Sequence, residues 1–145
     1  MKSLTLTLAM LFLAACATEM TTLQCLECPE IEVIRVIDGD TFETPDGEVR
    51  LFGVDTPELG QRCSGTAKRR LEELLGETAR YQIGPRTADP YGKLLYYMYT
   101  ETGQSIDEVL ISEGLGRAWF KDGQHKDHLV GLEKEARANG VGCLW

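Results

Sequence analysis

Val36-Ile37-Asp38-Gly39-Asp40-Thr41-Phe42, followed after a turn by Arg50-Leu51-Phe52-Gly53-Val54-Asp55-Thr56-Pro57-Glu58, decides how this chain folds and where its chemistry lies. The two strand-like runs flank Thr44-Pro45-Asp46-Gly47-Glu48. Proline presets the first corner and Asp-Gly supplies the positive-φ position, so the runs predict an antiparallel hairpin. Counting outward from Asp46 sets position 42 against about 50, 40 against about 52 and 38 against about 54, within a residue of register. Asp38, Asp40 and Asp55 then meet at the end away from the turn. Arg50 lies roughly 10–15 Å back along its strand at ~3.3 Å per residue, close enough to lean toward them. Glu58, just after Pro57, reaches over the same end. So much acid exceeds what a half-buried hairpin carries for stability, and something cationic is expected there.

The first 15 residues are an address. Lys2 is a short cationic region, Leu4 to Leu13 is an apolar stretch too short to span a bilayer, and Leu13-Ala14-Ala15-Cys16 closes it. Leu-Ala-Ala-Cys is similar to a bacterial lipobox, which implies cleavage before Cys16 and acylation of that cysteine. The expectation is therefore an exported protein, lipid-anchored through Cys16 in the bacterial envelope, and in the outer membrane if the host is Gram-negative. An ordinary secretory peptide with an incidental Cys16 is the alternative. Residues 16–30 read as lipidated cysteine and tether, and residues 31–145 as one domain.

Removing residues 1–15 takes away Lys2 and leaves 14 basic against 23 acidic residues, a net charge of −9 with histidine neutral. No broad basic face is available for counterion release, so any nucleic-acid chemistry must be local and metal-assisted. Cys25, Cys28, Cys63 and Cys143 remain after Cys16. An even number in an exported domain reads as two disulfides, with three pairings open; a single CxxC argues less for zinc, and no βαβ pattern supports a redox site.

Ile31 to Ile37 is β-branched and begins a sheet, the hairpin continues it, and Ala79–Ile83 and Leu94–Tyr99 add two strands, making about five. Gly84 to Lys93 has no apolar period and reads as a long loop. Ser64 is placed as the cap of a helix with Ala67, Leu71, Leu74 and Leu75 on one face and Gly76 as its stop. Lys68-Arg69-Arg70 on it reads as solvated. Ser105-Ile106-Asp107-Glu108 is a capping box opening a second helix that stops at Gly114. A third begins between Gly123 and Asp127, buries Leu129, Leu132 and Ala136, and ends near Gly140. His125 and His128 lack zinc-protease spacing and read as solvent-facing.

Carboxylates and a backbone bend offer only oxygen, which selects a hard cation, Ca²⁺ or Mg²⁺. Phe42 and Glu43 stand where an EF-hand needs a ligand and its glycine. A divalent ion, a free carboxylate and a guanidinium together suit phosphodiester hydrolysis: cations neutralise charge on the phosphoryl oxygens while the carboxylate deprotonates water.

Val36–Phe42 (VIDGDTF), Arg50–Glu58 (RLFGVDTPE), Asp89–Lys93 (DPYGK) and Gly114-Leu115 resemble, in order and spacing, the staphylococcal nuclease family. The resemblance covers about Ile31 to Trp145. It implies an α+β fold, mainly β: an OB-type five-stranded barrel with three helices. It further implies a Ca²⁺-dependent endonuclease cleaving DNA and RNA to leave 3′-phosphates. Carried over by position, Asp40 and Asp55 would bind Ca²⁺ through carboxylates and Thr56 through its carbonyl. Glu58 would be the general base, Arg50 would grip the scissile phosphate, Asp38 would be an outer-shell acid, and Tyr91 would bond a nucleotide phosphate. The family's second catalytic arginine is Lys93 here, which keeps the charge and loses the bidentate fork. Trp119 and Phe120 align loosely with the family's base-embracing aromatic pair. The reading from a different class is a non-catalytic OB-type module binding nucleic acid or another anion in the same groove. A monomer is expected.

Overall fold

A computed structural model describes residues 22–145; the expected signal peptide, Cys16 and the expected tether as far as residue 21 lie outside the described residues. The hairpin forms from β3 (Thr41–Thr44) and β4 (Gly47–Leu51), turning through Pro45 and Asp46 with Gly47 at φ 125°. Its register is one residue tighter than the sequence count: Thr41 faces Arg50 and Phe42 faces Val49. The loop is two residues long and centred between Pro45 and Asp46, rather than on Asp46. Pairing stops at Leu51, whose N–H bonds the Asp40 carbonyl at 2.8 Å, so 38 never faces 54.

The run Ile31–Ile37 is two strands, and their placement closes the sheet. β1 (Glu30–Glu32) pairs with β6 (Thr78–Ala88), β6 with β7 (Leu94–Tyr99), β7 in parallel with β4, β4 with β3, and β3 with β2 (Arg35–Val36). β1 and β2 thus occupy opposite edges of a six-stranded sheet. Only Val33 and Ile34 separate them: Val33 N–H bonds Glu77 O at 3.0 Å and Ile34 N–H bonds Glu43 O at 2.8 Å. Two residues span less than about 7 Å, so the sheet curls until its edges are neighbours. This is the OB-type α+β architecture, with the expected three helices and a small second sheet, β5 (Val54–Asp55) with β8 (Arg117–Ala118).

Strand β6 runs five residues further than expected, through Gly84–Ala88, with a register break between Ile83 and Ala88. Its far half is largely exposed, which is why it shows no apolar period. Helix α1 is Ser64–Leu75 and buries Ala67, Leu71 and Leu75. Ser64 is its first residue and not its cap; the cap is Cys63 at φ 74°, and the Ser64 hydroxyl donates to the Gln61 carbonyl at 2.8 Å. Helix α2 (Ile106–Ser112) is capped by Ser105, whose hydroxyl accepts the Glu108 N–H. The Glu108 carboxylate does not return the bond to Ser105. It accepts the Leu23 N–H at 2.9 Å and contacts His128. Helix α3 (Lys126–Ala138) buries Leu129, Leu132 and Ala136.

Leu23–Pro29, read as tether, is part of the domain. Leu23 and Cys25 pack on the core, Gln24 bridges Gln104, and Pro29 O accepts the Tyr81 N–H. The disulfides are Cys25–Cys28 and Cys63–Cys143. Two other expectations change. Arg70 is bonded bidentately to Glu113 at 2.8 Å and 2.8 Å rather than simply solvated. His125 and His128 are half-buried, His125 bonding Gln82 at 2.8 Å and standing edge-on to Tyr97.

Candidate active site

The bend Asp38-Gly39-Asp40 brings the acids against the segment that follows β5. A Cβ on Gly39 would lie 2.5 Å from Thr56 Oγ1 and 2.7 Å from Ala67 Cβ, so only glycine lets the bend sit between Thr56 and α1. Asp40 consequently points inward and is 2% exposed. Its Oδ1 accepts from Thr41 Oγ1 at 3.0 Å and Arg50 at 2.7 Å, and its Oδ2 from Thr56 N at 2.8 Å and Thr56 Oγ1 at 3.1 Å. Asp38 Oδ1 accepts the Asp40 N–H at 3.1 Å. Burial pushes the Asp40 carboxyl up to about 6, against the pull of Arg50 and the Thr56 N–H.

Arg50 is not set back along its strand. The tighter register puts it beside Asp40, and its second Nη donates to Asp55 Oδ1 at 2.5 Å. Burial works against its charge, but Asp40 and Asp55 outweigh burial and hold it above its ordinary value. Asp55, with its side chain 52% exposed, leaves its other oxygen toward solvent. Two carboxylates and a guanidinium therefore form the inner end of the site.

Phe52 and Gly53 carry the chain from Arg50 to Asp55, and a buried acid fixes them. Asp107, wholly buried in α2, accepts Gly53 N–H at 2.8 Å and Met98 N–H at 3.0 Å. Burial raises its carboxyl to about 7, opposed by those two N–H groups.

A cleft of about 340 Å³ opens from Arg50, lined by Phe52, Glu58, Arg86, Tyr91, Lys93 and Trp119 among others. Glu58 is exposed on a loop stapled by Gln61, whose side-chain carbonyl accepts the Glu58 N–H at 2.9 Å and whose own N–H bonds Glu58 O at 2.9 Å. Across the cleft, Asp89 Oδ1 accepts the N–H groups of Tyr91 at 2.8 Å and Lys93 at 2.9 Å, which shapes the hairpin tip and leaves Tyr91 88% exposed. Lys93 Nζ is 3.9 Å from Glu48, a distant pairing that leaves the ammonium able to turn into the cleft. Thus Asp38, Asp40, Asp55, Thr56 and Arg50 form one bonded cluster, while Glu58, Tyr91 and Lys93 stand around its opening. Phe120 is 69% exposed and does not line the cleft, whereas Trp119 does.

Arg86 escaped the sequence reading. It donates to both oxygens of Asp122, at 2.7 Å and 3.1 Å, and lies 5.1 Å from the Phe52 ring centre and 5.9 Å from that of Trp119. Trp119 Nε1 donates to the same Asp122 at 2.6 Å. Arg86 and then Trp119 hold the Asp122 carboxyl below its usual value. No motif marks Arg86; a basic residue in a stretch without period was its only signal.

Residues 48–145 match the family model described as staphylococcal nuclease homologue. The chain belongs to the staphylococcal nuclease family. It is 32% identical over 127 residues to a micrococcal nuclease of Shigella flexneri, covering 79% of this chain and 72% of that one. A protein of Escherichia coli O157:H7 described as an uncharacterized endonuclease is 30% identical over 126 residues, covering 81% and 79%. A thermonuclease of Staphylococcus intermedius is 36% identical over 103 residues, covering 61% and 58%. In this member of the family the matched span starts inside β4, so it includes Arg50, Asp55, Thr56, Glu58, Tyr91 and Lys93, while Asp38 and Asp40 precede it.

The carboxylates of Asp40 and Asp55, joined by Arg50, offer oxygen, the donor that a hard cation takes. Among the described residues no three His, Cys, Asp or Glu side chains converge to hold a metal ion. Arg50 itself lies between the two carboxylates.

Proposed function

We propose that this protein is a Ca²⁺-dependent endonuclease that hydrolyses DNA and RNA to 3′-phosphate ends, exported and lipid-anchored through Cys16 and acting as a monomer. The observation that supports this most is the joint placement of the Asp40–Arg50–Asp55 cluster at the inner end of a cleft whose mouth carries Glu58, Tyr91 and Lys93. Asp40, Asp55 and the Thr56 carbonyl would hold the ion, in place of the guanidinium now between the carboxylates. When bound, the ion supplies neutralisation of charge on the phosphodiester. Arg50, freed from the acids, already lines the cleft and can grip two phosphoryl oxygens bidentately. Glu58, exposed and unpaired among the described residues, takes a proton from water. Lys93 adds a point charge on the far wall and Tyr91 a hydroxyl.

A soluble form starting at Ala17, with both disulfides formed, is expected to cut single-stranded DNA in millimolar Ca²⁺ and to stop in EGTA. Intact DNA in Ca²⁺ would refute the reading. Glu58→Gln is expected to lower the rate by about 10²–10⁴-fold, the usual share of a general base, with folding unchanged; full activity would remove Glu58 from that role.

The interlocked Arg50 favours a second reading, an OB-type module that binds nucleic acid or another anion without turnover. Bound oligonucleotide without cleavage in Ca²⁺ would select it.

A further inference from the structure

Glu58 borders two clefts. Beyond the one just described, a second cleft of about 390 Å³ opens on its other side, between the Asp55–Glu58 segment, Gln61 and Arg62, and Arg117 with Leu144. Asp55 and Glu58 are its carboxylates, and Asp55 is already engaged by Arg50. Arg62 and Arg117 form no ion pair among the described residues, whereas Arg35, Arg70, Arg80 and Arg86 each have a carboxylate partner. In a chain of net charge −8, two guanidinium groups without an ion-pair partner among the described residues face one groove, where they match its two carboxylates in number, and one of those carboxylates, Asp55, is already held by Arg50.

The groove is also held in shape. Arg117 stands on β8, directly opposite Asp55, with its guanidinium 5.3 Å from the centre of the Trp145 ring. Arg62 precedes Cys63, and Leu144 follows Cys143, so the Cys63–Cys143 disulfide ties the loop wall to the wall beside Trp145. A Cβ on Gly116 would lie 2.3 Å from Val54 Cγ2, so β8 presses against β5 and sets Arg117 at the groove's edge.

We infer that this second cleft is a binding subsite for the nucleic-acid strand as it continues past the reacting phosphodiester, with Arg62 and Arg117 each contacting a backbone phosphate. The inference rests on the nuclease reading and extends it: a strand lying across Glu58 meets Arg50, Lys93 and Tyr91 on one side and Arg62 and Arg117 on the other. Guanidinium groups suit phosphate oxygens by charge and by fork geometry. Such a footprint rewards a chain that extends both ways from the cut, and gives nothing to a dinucleotide.

The test uses the full chain purified in detergent, in a Glu58→Gln background so that substrate survives, with a fluorescent 12-nucleotide single strand and a labelled dinucleotide as probes in Ca²⁺. Arg62→Gln and Arg117→Gln are each expected to weaken the 12-mer by about threefold and together by about tenfold. The slope of log affinity against log salt should flatten by about 1.4, from about 0.7 per phosphate contact on a single strand. Dinucleotide affinity should stay unchanged, Arg117→Lys should restore most of the loss, and Lys134→Gln on α3 should have no effect. An unchanged 12-mer affinity and slope in the double variant, or an equal loss on the dinucleotide, would overturn the subsite. Cleavage by the protein with Glu58 intact is assayed separately. Absence of cleavage with the salt effect intact sinks the nuclease reading and leaves the subsite standing.

Discussion

At the inner end of the cleft Asp40 is 2% exposed and receives four hydrogen bonds, while at its mouth Tyr91 is 88% exposed and Glu58 is held only through its backbone. The inner end is fixed by the core: β3, β4, the Gly39 bend and α1 all converge on it. The mouth is fixed by short-range devices, the Gln61 staple and the Asp89 turn, which shape the loops without burying them. Asp40 and Arg50, which hold charge in place, are therefore structural members of the barrel, while Glu58, Tyr91 and Lys93 at the mouth can change without cost to the fold. A substitution inside should cost folding as well as chemistry, and one outside chemistry alone.

Asp40→Ala is the strongest way to break that contrast. It strands the half-buried Arg50 on Asp55 alone and leaves the Thr41 and Thr56 donors without their acceptor. The expected loss is about 3–5 kcal/mol of stability, the usual cost of removing one partner of a buried pair. Tyr91→Ala should stay within about 0.5 kcal/mol. Denaturant unfolding of both variants decides it, and equal costs would erase the distinction between inner end and mouth.

Much of the inner end was legible because it is local. VIDGDTF, the Pro-Asp-Gly turn and RLFGVDTPE lie within 23 residues, and a hairpin count places them to within one position. That single position still mattered, since it moved Arg50 from behind the acids to between them. The three helices were legible from their periodicity, and the OB-type barrel from the order of motifs. What stayed hidden depends on contacts between distant residues. Nothing in Ile31–Ile37 says that it splits between the two edges of one sheet, and no local pattern reports the parallel pairing of β4 with β7 or the choice of Cys143 as partner to Cys63. Leu23–Pro29 looked like tether because its anchors, Gln104, Glu108 and Tyr81, are 52 or more residues away along the chain. Arg86 was invisible for the same reason: its partner Asp122 is 36 residues away.

Asp107 sharpens the comparison through pH, since it supports the inner end without touching substrate. Its folded carboxyl titrates at about 7, above the roughly 4 of an unfolded aspartate. Between those values the folded state binds more protons than the unfolded one, so its contribution is complete below about pH 4 and is lost as pH rises through about 7. Asp107→Asn, which has no proton to lose across this window, should flatten that decline. Thermal unfolding from pH 4 to 8 measures it. A decline equally steep in the variant would show that another group sets the pH dependence.

Lys93→Arg probes the mouth, where the effect should be smallest. The lysine sits 3.9 Å from Glu48, too far for a firm pair, on a hairpin tip shaped by backbone bonds to Asp89 that any side chain at 93 would keep. Stability should therefore be unaffected. An arginine there adds two parallel donors toward the cleft, a geometry matched to two phosphoryl oxygens, and the cleavage rate should be preserved or raised by up to about tenfold, or 1.4 kcal/mol. The gain should appear in kcat rather than KM if the residue acts on charge that develops in the transition state, because uniform tightening of substrate would move KM alone. A large fall in rate would mean that the cleft has been rebuilt around the compact ammonium. The mouth would then be as constrained as the inner end, by fit to its substrate instead of by burial.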